Sequence, residues 1–185
     1  KLTSCVPRPF SQPRWRGENF AGRTLLLHAE QGFGDTIQFV LYAELVVERG
    51  GKLLLECQPS LKNLLRSVNA VEEVVAQGEP LPRFDLQASL LSLPGLFETN
   101  LESIPRRVPY LRAPAQDWVD LPESPGAALK VGLAWCGSRS QNDDQRPVSF
   151  RLLGPLLETA DAAFYSLQLG AGGQEIQEVG GAGKI

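Results

Sequence analysis

Most of the chemistry this sequence offers is concentrated in one short segment, His28-Ala29-Glu30-Gln31-Gly32-Phe33-Gly34-Asp35-Thr36. Its two glycines permit a tight turn and a close approach of another molecule to the backbone. The acid after them stands where an apolar stretch of helical character begins. A carboxylate at a helix N-terminus is held ionised by the free N–H groups and the dipole. An ionised aspartate in an open crevice can take a proton from a substrate hydroxyl as a general base. Aspartate there is also a favoured helix cap, and residue type alone leaves both roles open.

The same glycines invite a lesser alternative, a dinucleotide-binding fingerprint, with Glu56 ending the next strand where a ribose-binding acid would stand. Ile37 replaces the third glycine, and Asp35 puts negative charge where a pyrophosphate would bind. A second group of candidates lies in 137–146. Arginine side chains and backbone N–H groups can hold the charge that grows on a departing phosphate, without a metal. Gly137, Ser138, Arg139 and Arg146 are the residues for that work. Asp143 and Asp144 sit beside Arg146 and can neutralise it, so a solvated connector is the competing description.

These residues need elements to place them. Arg23 to Ala29 is a short apolar run closed by Gly32 and Gly34, the signature of a buried parallel strand. Asp35 to Arg49 contains no Gly or Pro and is apolar over most of a helical surface, which predicts a helix buried on two sides. Gly50-Gly51 stops it. Further strands are expected at 52–57, 71–76 and 84–88. A helix is expected from Leu61 to Ser67 with Ser60 as its cap, and a loop with a helical turn at 90–96. A short edge strand is expected at 108–111, where Pro109 is tolerated. Residues 1–22 read as an irregular lead-in. Residues 113–127, with Pro114, Pro122, Pro125 and Gly126, read as a linker. The pattern then restarts, with a strand at 129–135, a loop at 136–148, a helix at 150–159 capped by Ser149, a strand at 163–169 and a glycine-rich frayed tail. Such alternation predicts parallel sheets with right-handed crossovers. The expected fold is α/β, with a Rossmann-like domain over 23–112 and an incomplete second Rossmann-like unit over 128–185.

Composition narrows the function. With 43% hydrophobic and 21% charged residues in 185, the chain can bury a core. A net charge of -3 and the lack of a Lys/Arg cluster argue against nucleic acid as a partner. No run reaches the roughly 18 apolar residues of a membrane span. Cys5, Cys57 and Cys136 have no metal-ligand spacing and read as free thiols of a reducing cytoplasm. No metal or cofactor is called for. His28, the one histidine, fits a structural place more simply than a direct role, and Trp15 and Trp135 read as packing residues. A chain that starts with Lys1 and holds no Met reads as part of a longer protein.

Gly34-Asp35-Thr36, after a glycine-rich turn and before an apolar helix, resembles the N-terminal motif of family 9 glycosyltransferases, which include the heptosyltransferases of lipopolysaccharide synthesis. The longer stretch from Leu25 to Phe39 is more similar still to the glycosyltransferase-like domain that follows tetratricopeptide repeats in many bacterial proteins. Further matching pieces are Gly78-Glu79-Pro80-Leu81-Pro82, Phe84-Asp85-Leu86, Ile104-Pro105, Val108-Pro109-Tyr110-Leu111, Val131-Gly132-Leu133-Ala134-Trp135 with Gly137, and Ser166-Leu167-Gln168, in the family's order.

The resemblance implies a GT-B arrangement of two Rossmann-like domains on one cleft, the first contacting the acceptor and the second the nucleotide-sugar. It implies Asp35 as the base, with Gln31, Gly32, Gly34 and Thr36 beside the acceptor. It puts Gly137, Ser138, Arg139 and Arg146 at the donor diphosphate. The reaction implied is inverting, metal-independent transfer from a nucleoside-diphosphate sugar to a hydroxyl of a glycan, a lipid-linked sugar or a protein. Related domains often read Arg-Ser-Ile-Pro-Leu where this one reads Arg146-Pro147-Val148-Ser149-Phe150, a departure from the pattern at the donor loop. The short second domain leads to the expectation that this chain alone transfers little or no sugar. The alternative is a non-catalytic binding or scaffold module of a tetratricopeptide-repeat protein, whose exposed strand edges favour self-association.

Overall fold

Leu25, Leu26 and Leu27 are all fully buried. Successive strand residues point to opposite faces of a sheet, so this strand is covered on both. The computed structural model that shows this describes residues 9–113, 126, 128–137, 148–159 and 161–178. The chain divides into two compact units, Lys1–Asp117 and Trp118–Ile185.

Among the described residues of the first unit, four parallel strands form one sheet. They are β1 (Thr24–His28), β2 (Lys52–Cys57), β3 (Glu73–Ala76) and β4 (Leu86–Ser89). Their order is β3-β2-β1-β4. His28 lies in register with Glu56 on one side and Ser89 on the other. Leu25, Leu27, Leu53, Leu55, Leu86 and Ala88 share one core with Val40, Tyr42, Ala43 and Val46. The opposite face carries Leu26 and Leu54, buried as well. A parallel sheet covered on both faces is the Rossmann-like α/β arrangement. The chain steps outward from β1 to β3 and then returns to place β4 on β1's other side. The reversal therefore falls between the carboxyl ends of β1 and β4, where open α/β sheets bind ligands.

The helix expected over 35–49 is built in three pieces. They are α1 (Phe33–Phe39), a 3-10 turn (Val40–Tyr42) and α2 (Ala43–Val47). It begins two residues early because Gly32, extended at φ -68° and ψ 174°, is the N-cap. The tighter middle turn sends both Val40 and Tyr42 into the core. Gly50 and Gly51 end the crossover at φ +89° and +78°. A Cβ on Gly51 would also collide with the Phe20 ring.

Three local expectations need correction. Ser60 caps nothing: Pro59, with no N–H to satisfy, opens a 3-10 turn (Pro59–Leu61) that leads into α3 (Lys62–Leu65). Residues 108–111 form no strand. Pro109 cannot donate to a ladder, and the segment docks through side chains instead. The Tyr110 hydroxyl donates to the Ile37 carbonyl at 3.2 Å, and the Arg112 amide donates to Ser67 Oγ at 3.0 Å. Residues 13–15, read as lead-in, run parallel beside β4, with Trp15 N donating to the Gln87 carbonyl at 2.8 Å and Gln87 N to that of Pro13 at 3.1 Å. Trp15 is fully buried against Phe20 and Phe97. After β4 a 3-10 turn (Leu90–Ser92) runs into α4 (Leu93–Leu96).

The second unit pairs β5 (Leu129–Leu133) with β6 (Ala162–Ser166) in parallel. Between them lie a 3-10 turn (Phe150–Leu153) and α5 (Gly154–Leu157). Leu133, Trp135, Phe150 and Phe164 form its small core. Ser149 stands at the N-cap position as expected, but its hydroxyl makes no cap hydrogen bond. Glu175, which opens α6 (Glu175–Glu178), supplies the acceptor from outside. Its Oε1 accepts from Ser149 Oγ at 2.6 Å and from Phe150 N at 3.0 Å, and its Oε2 from Trp135 Nε1 at 3.2 Å. The Ser149 hydroxyl is the largest influence holding the Glu175 carboxyl below the usual range, followed by partial desolvation acting against it. The Phe150 amide, the Trp135 indole and the Arg151 charge add to the lowering. The start of the tail is thus ordered by its own carboxylate. Among the described residues no helix is long and apolar enough to cross a membrane.

Candidate functional site

The β1–α1 loop is tied down by residues that follow the neighbouring strands. The Ala29 amide continues the ladder to the Glu56 carbonyl at 2.9 Å. Gln77, just past β3, donates through Nε2 to the Ala29 carbonyl at 3.0 Å. Gln58, just past β2, donates through Nε2 to the Gln31 carbonyl at 2.7 Å and accepts from Thr36 Oγ1 at 3.0 Å. The sequence reading passed over both glutamines. The signal was their position, each the first residue after a strand at the carboxyl edge of the sheet.

Within this frame Thr36 is 1% exposed, so it holds the loop and cannot touch an acceptor as expected. Gln31 is half-buried and lends its carbonyl to Gln58. Gly32 and Gly34 are exposed. Neither has the positive φ that would demand glycine, and the space where a Gly34 side chain would stand is empty. What the glycines provide is therefore room above the helix start, not a special turn.

Asp35 is half-buried at the third helical position. Its Oδ2 accepts from the Gly32 amide at 3.0 Å, the reciprocal half of a capping box. Its Oδ1 makes no hydrogen bond among the described residues. The carboxylate thus acts as a cap with one oxygen only. A general base must lie within hydrogen-bond reach of the proton it takes, and Oδ1 has no hydrogen-bond partner among the described residues.

The dinucleotide alternative loses its acid, because Glu56 is 1% exposed in β2 and cannot present a carboxylate to a ribose. His28 is 8% exposed, with Nε2 3.2 Å from Gln87 Oε1 and its ring 5.1 Å from that of Phe10. Its place is structural. Cys57 and Cys136 are unbridged, and burial pushes the Cys57 thiol up to about 11, which leaves it protonated and unreactive. Among the described residues no three His, Cys, Asp or Glu side chains converge as a metal site.

On the second unit, Gly137 is exposed after β5, while Ser138, Arg139 and Arg146 lie outside the described residues. The start of that loop is set by Gln168. Its Oε1 accepts from the amides of Trp135 and Cys136, both at 2.9 Å, and its Nε2 donates to the Cys136 carbonyl at 3.0 Å. In each unit, then, a glutamine side chain fixes the loop that leaves the first strand.

No protein-family profile matches the chain, and no solved structure matches it. It is 30% identical over 185 aligned residues to Protein FlbA of Caulobacter vibrioides. The alignment takes in 88% of the chain, which spans 31% of FlbA's length.

Proposed function

We propose that this chain carries the acceptor-side unit, and part of the donor-side unit, of a heptosyltransferase-like glycosyltransferase. Such an enzyme moves a sugar, with inversion, from a nucleoside diphosphate to a hydroxyl. Asp35 Oδ1 takes the proton from that hydroxyl, whose oxygen attacks the anomeric carbon while the diphosphate leaves. The observation that carries the reading is an acid at the sheet's switch point, with one oxygen uncommitted and open space over the neighbouring Gly34. Gly137, Ser138, Arg139 and Arg146 remain the sequence-based candidates for the leaving diphosphate. The 185 residues alone are expected to transfer little or no sugar, since their second unit supplies two described strands. The test is a binding and turnover screen of the natural full-length protein against nucleoside diphosphates and their sugars. Binding of one nucleoside diphosphate with acceptor-dependent release supports the reading, and silence across the panel contradicts it.

One observation favours a second reading, a non-catalytic binding module: the Gly32 amide already employs Asp35 Oδ2. Ligand binding without turnover in the natural full-length protein, unchanged in an Asp35→Asn variant, would leave that reading standing.

A further inference from the structure

A groove of about 400 Å³ opens on the first unit between the end of α1 with its following turn and the segment 94–104. Its near edge is formed by Gln38 and Phe39, three and four residues after Asp35 and so on the same helical face, one turn along. The far wall brings Pro94, Leu101 and Ile104. The groove contains no charged residue, and its polar groups are largely spent. The Tyr42 hydroxyl donates to Thr99 Oγ1 at 3.1 Å. Asn100 Oδ1 accepts from the amides of Glu102 and Ser103 at 2.9 and 3.0 Å. The Gln38 amide and the Asn100 Nδ2 are left without a hydrogen bond among the described residues.

That self-contained turn holds Leu101 86% exposed and Ile104 43% exposed. The chain beyond it is anchored back on the helices, Arg107 to Glu44 by an ion pair and Tyr110 to the Ile37 carbonyl. The apolar wall is therefore preformed. A concave, mostly apolar site with few open polar groups takes an uncharged apolar group, because a charged one would lose its hydration without a partner.

We infer that this groove receives the apolar part of the acceptor. The acceptor is then amphipathic, with its reactive hydroxyl at Asp35 and an aromatic or alkyl group one to two helical turns away, about 5–10 Å. The inference rests on the transfer reading for the identity of that ligand.

The test needs no turnover. The 185-residue chain, labelled with ¹⁵N, is titrated with phenyl β-glucoside and with methyl β-glucoside. The phenyl compound is expected to bind at least tenfold tighter, with amide shifts at Gln38 and across 99–104. Leu101→Asp, at an exposed position, is expected to abolish that preference without lowering the melting temperature. Equal affinities, no binding of either compound, or a preference that survives Leu101→Asp overturns the inference. If the preference is absent while transfer still depends on Asp35, the groove assignment falls alone. If it is present while transfer ignores Asp35, the transfer reading falls alone.

Discussion

The side-chain oxygen of Gln58 accepts the Thr36 hydroxyl at 3.0 Å, linking the end of β2 to the first turn of α1. The amide nitrogen of the same side chain holds the Gln31 carbonyl at 2.7 Å. One residue thus fixes both ends of the loop that presents Gly32 and Asp35. Position after a strand, and not a local motif, gives it this role.

Gln58→Ala removes both hydrogen bonds, each worth about 1 kcal/mol net. The variant is expected to be less stable by about 1–2 kcal/mol in denaturant unfolding. Hydrogen exchange is expected to quicken at residues 31–36. Unchanged exchange there would show that the loop holds itself.

Asp35→Asn and Asp35→Ala separate cap from base. Asparagine keeps an oxygen for the Gly32 amide and loses the charge, a change of about 0.5 kcal/mol at a helix start. Alanine loses the cap as well and is expected to cost about 1 kcal/mol. Thermal melts of the two variants decide between these sizes.

Gly34→Ala places a methyl group in open space on a backbone that accepts it. The folded chain is expected to gain about 0.5 kcal/mol. Acceptor binding is expected to weaken, because the room above the helix start is filled. A variant that is destabilised would mean that the glycine serves the fold.

Glu175 is expected to add one acid-dependent contribution to the stability of the second unit. Its folded-state value is lowered, first by the Ser149 hydroxyl. The sign is therefore that of a depressed acid. Its stabilisation is complete above the unfolded glutamate value of about 4.3 and is lost as pH falls through the lower folded value. Trp135, hydrogen-bonded to this carboxylate, reports the loss by fluorescence. Glu175→Gln is expected to remove that acid transition, with other carboxylates unaffected.

How far the sequence could be read follows from what each residue depends on. Leu25 to Leu27 and Lys52 to Cys57 announce buried strands through their own composition, and Gly50-Gly51 announces the helix stop. The break at Val40 to Tyr42 left no mark, because the segment is apolar on adjoining helical faces and has no Gly or Pro to signal a change of winding. Ser60 satisfied the local rule for caps but falls inside a turn that Pro59 opens, and Ser149 holds the cap position while Glu175, 25 or more residues away, takes its hydroxyl and the Phe150 amide. The capping role of Asp35 was legible because its partner, the Gly32 amide, is local to the loop. Thr36 was misplaced because its partner, Gln58, is 22 residues away.

The central claim is that Asp35 takes a proton during sugar transfer, and the most direct measurement is acceptor-dependent release of nucleoside diphosphate by the natural full-length protein and its Asp35→Asn variant. With the fold confirmed by a cooperative melt displaced by no more than the lost charge accounts for, about 0.5 kcal/mol, the account predicts a fall of about 10²- to 10⁴-fold in rate, with the nucleoside diphosphate still bound. A variant that releases product at the parent rate would contradict it.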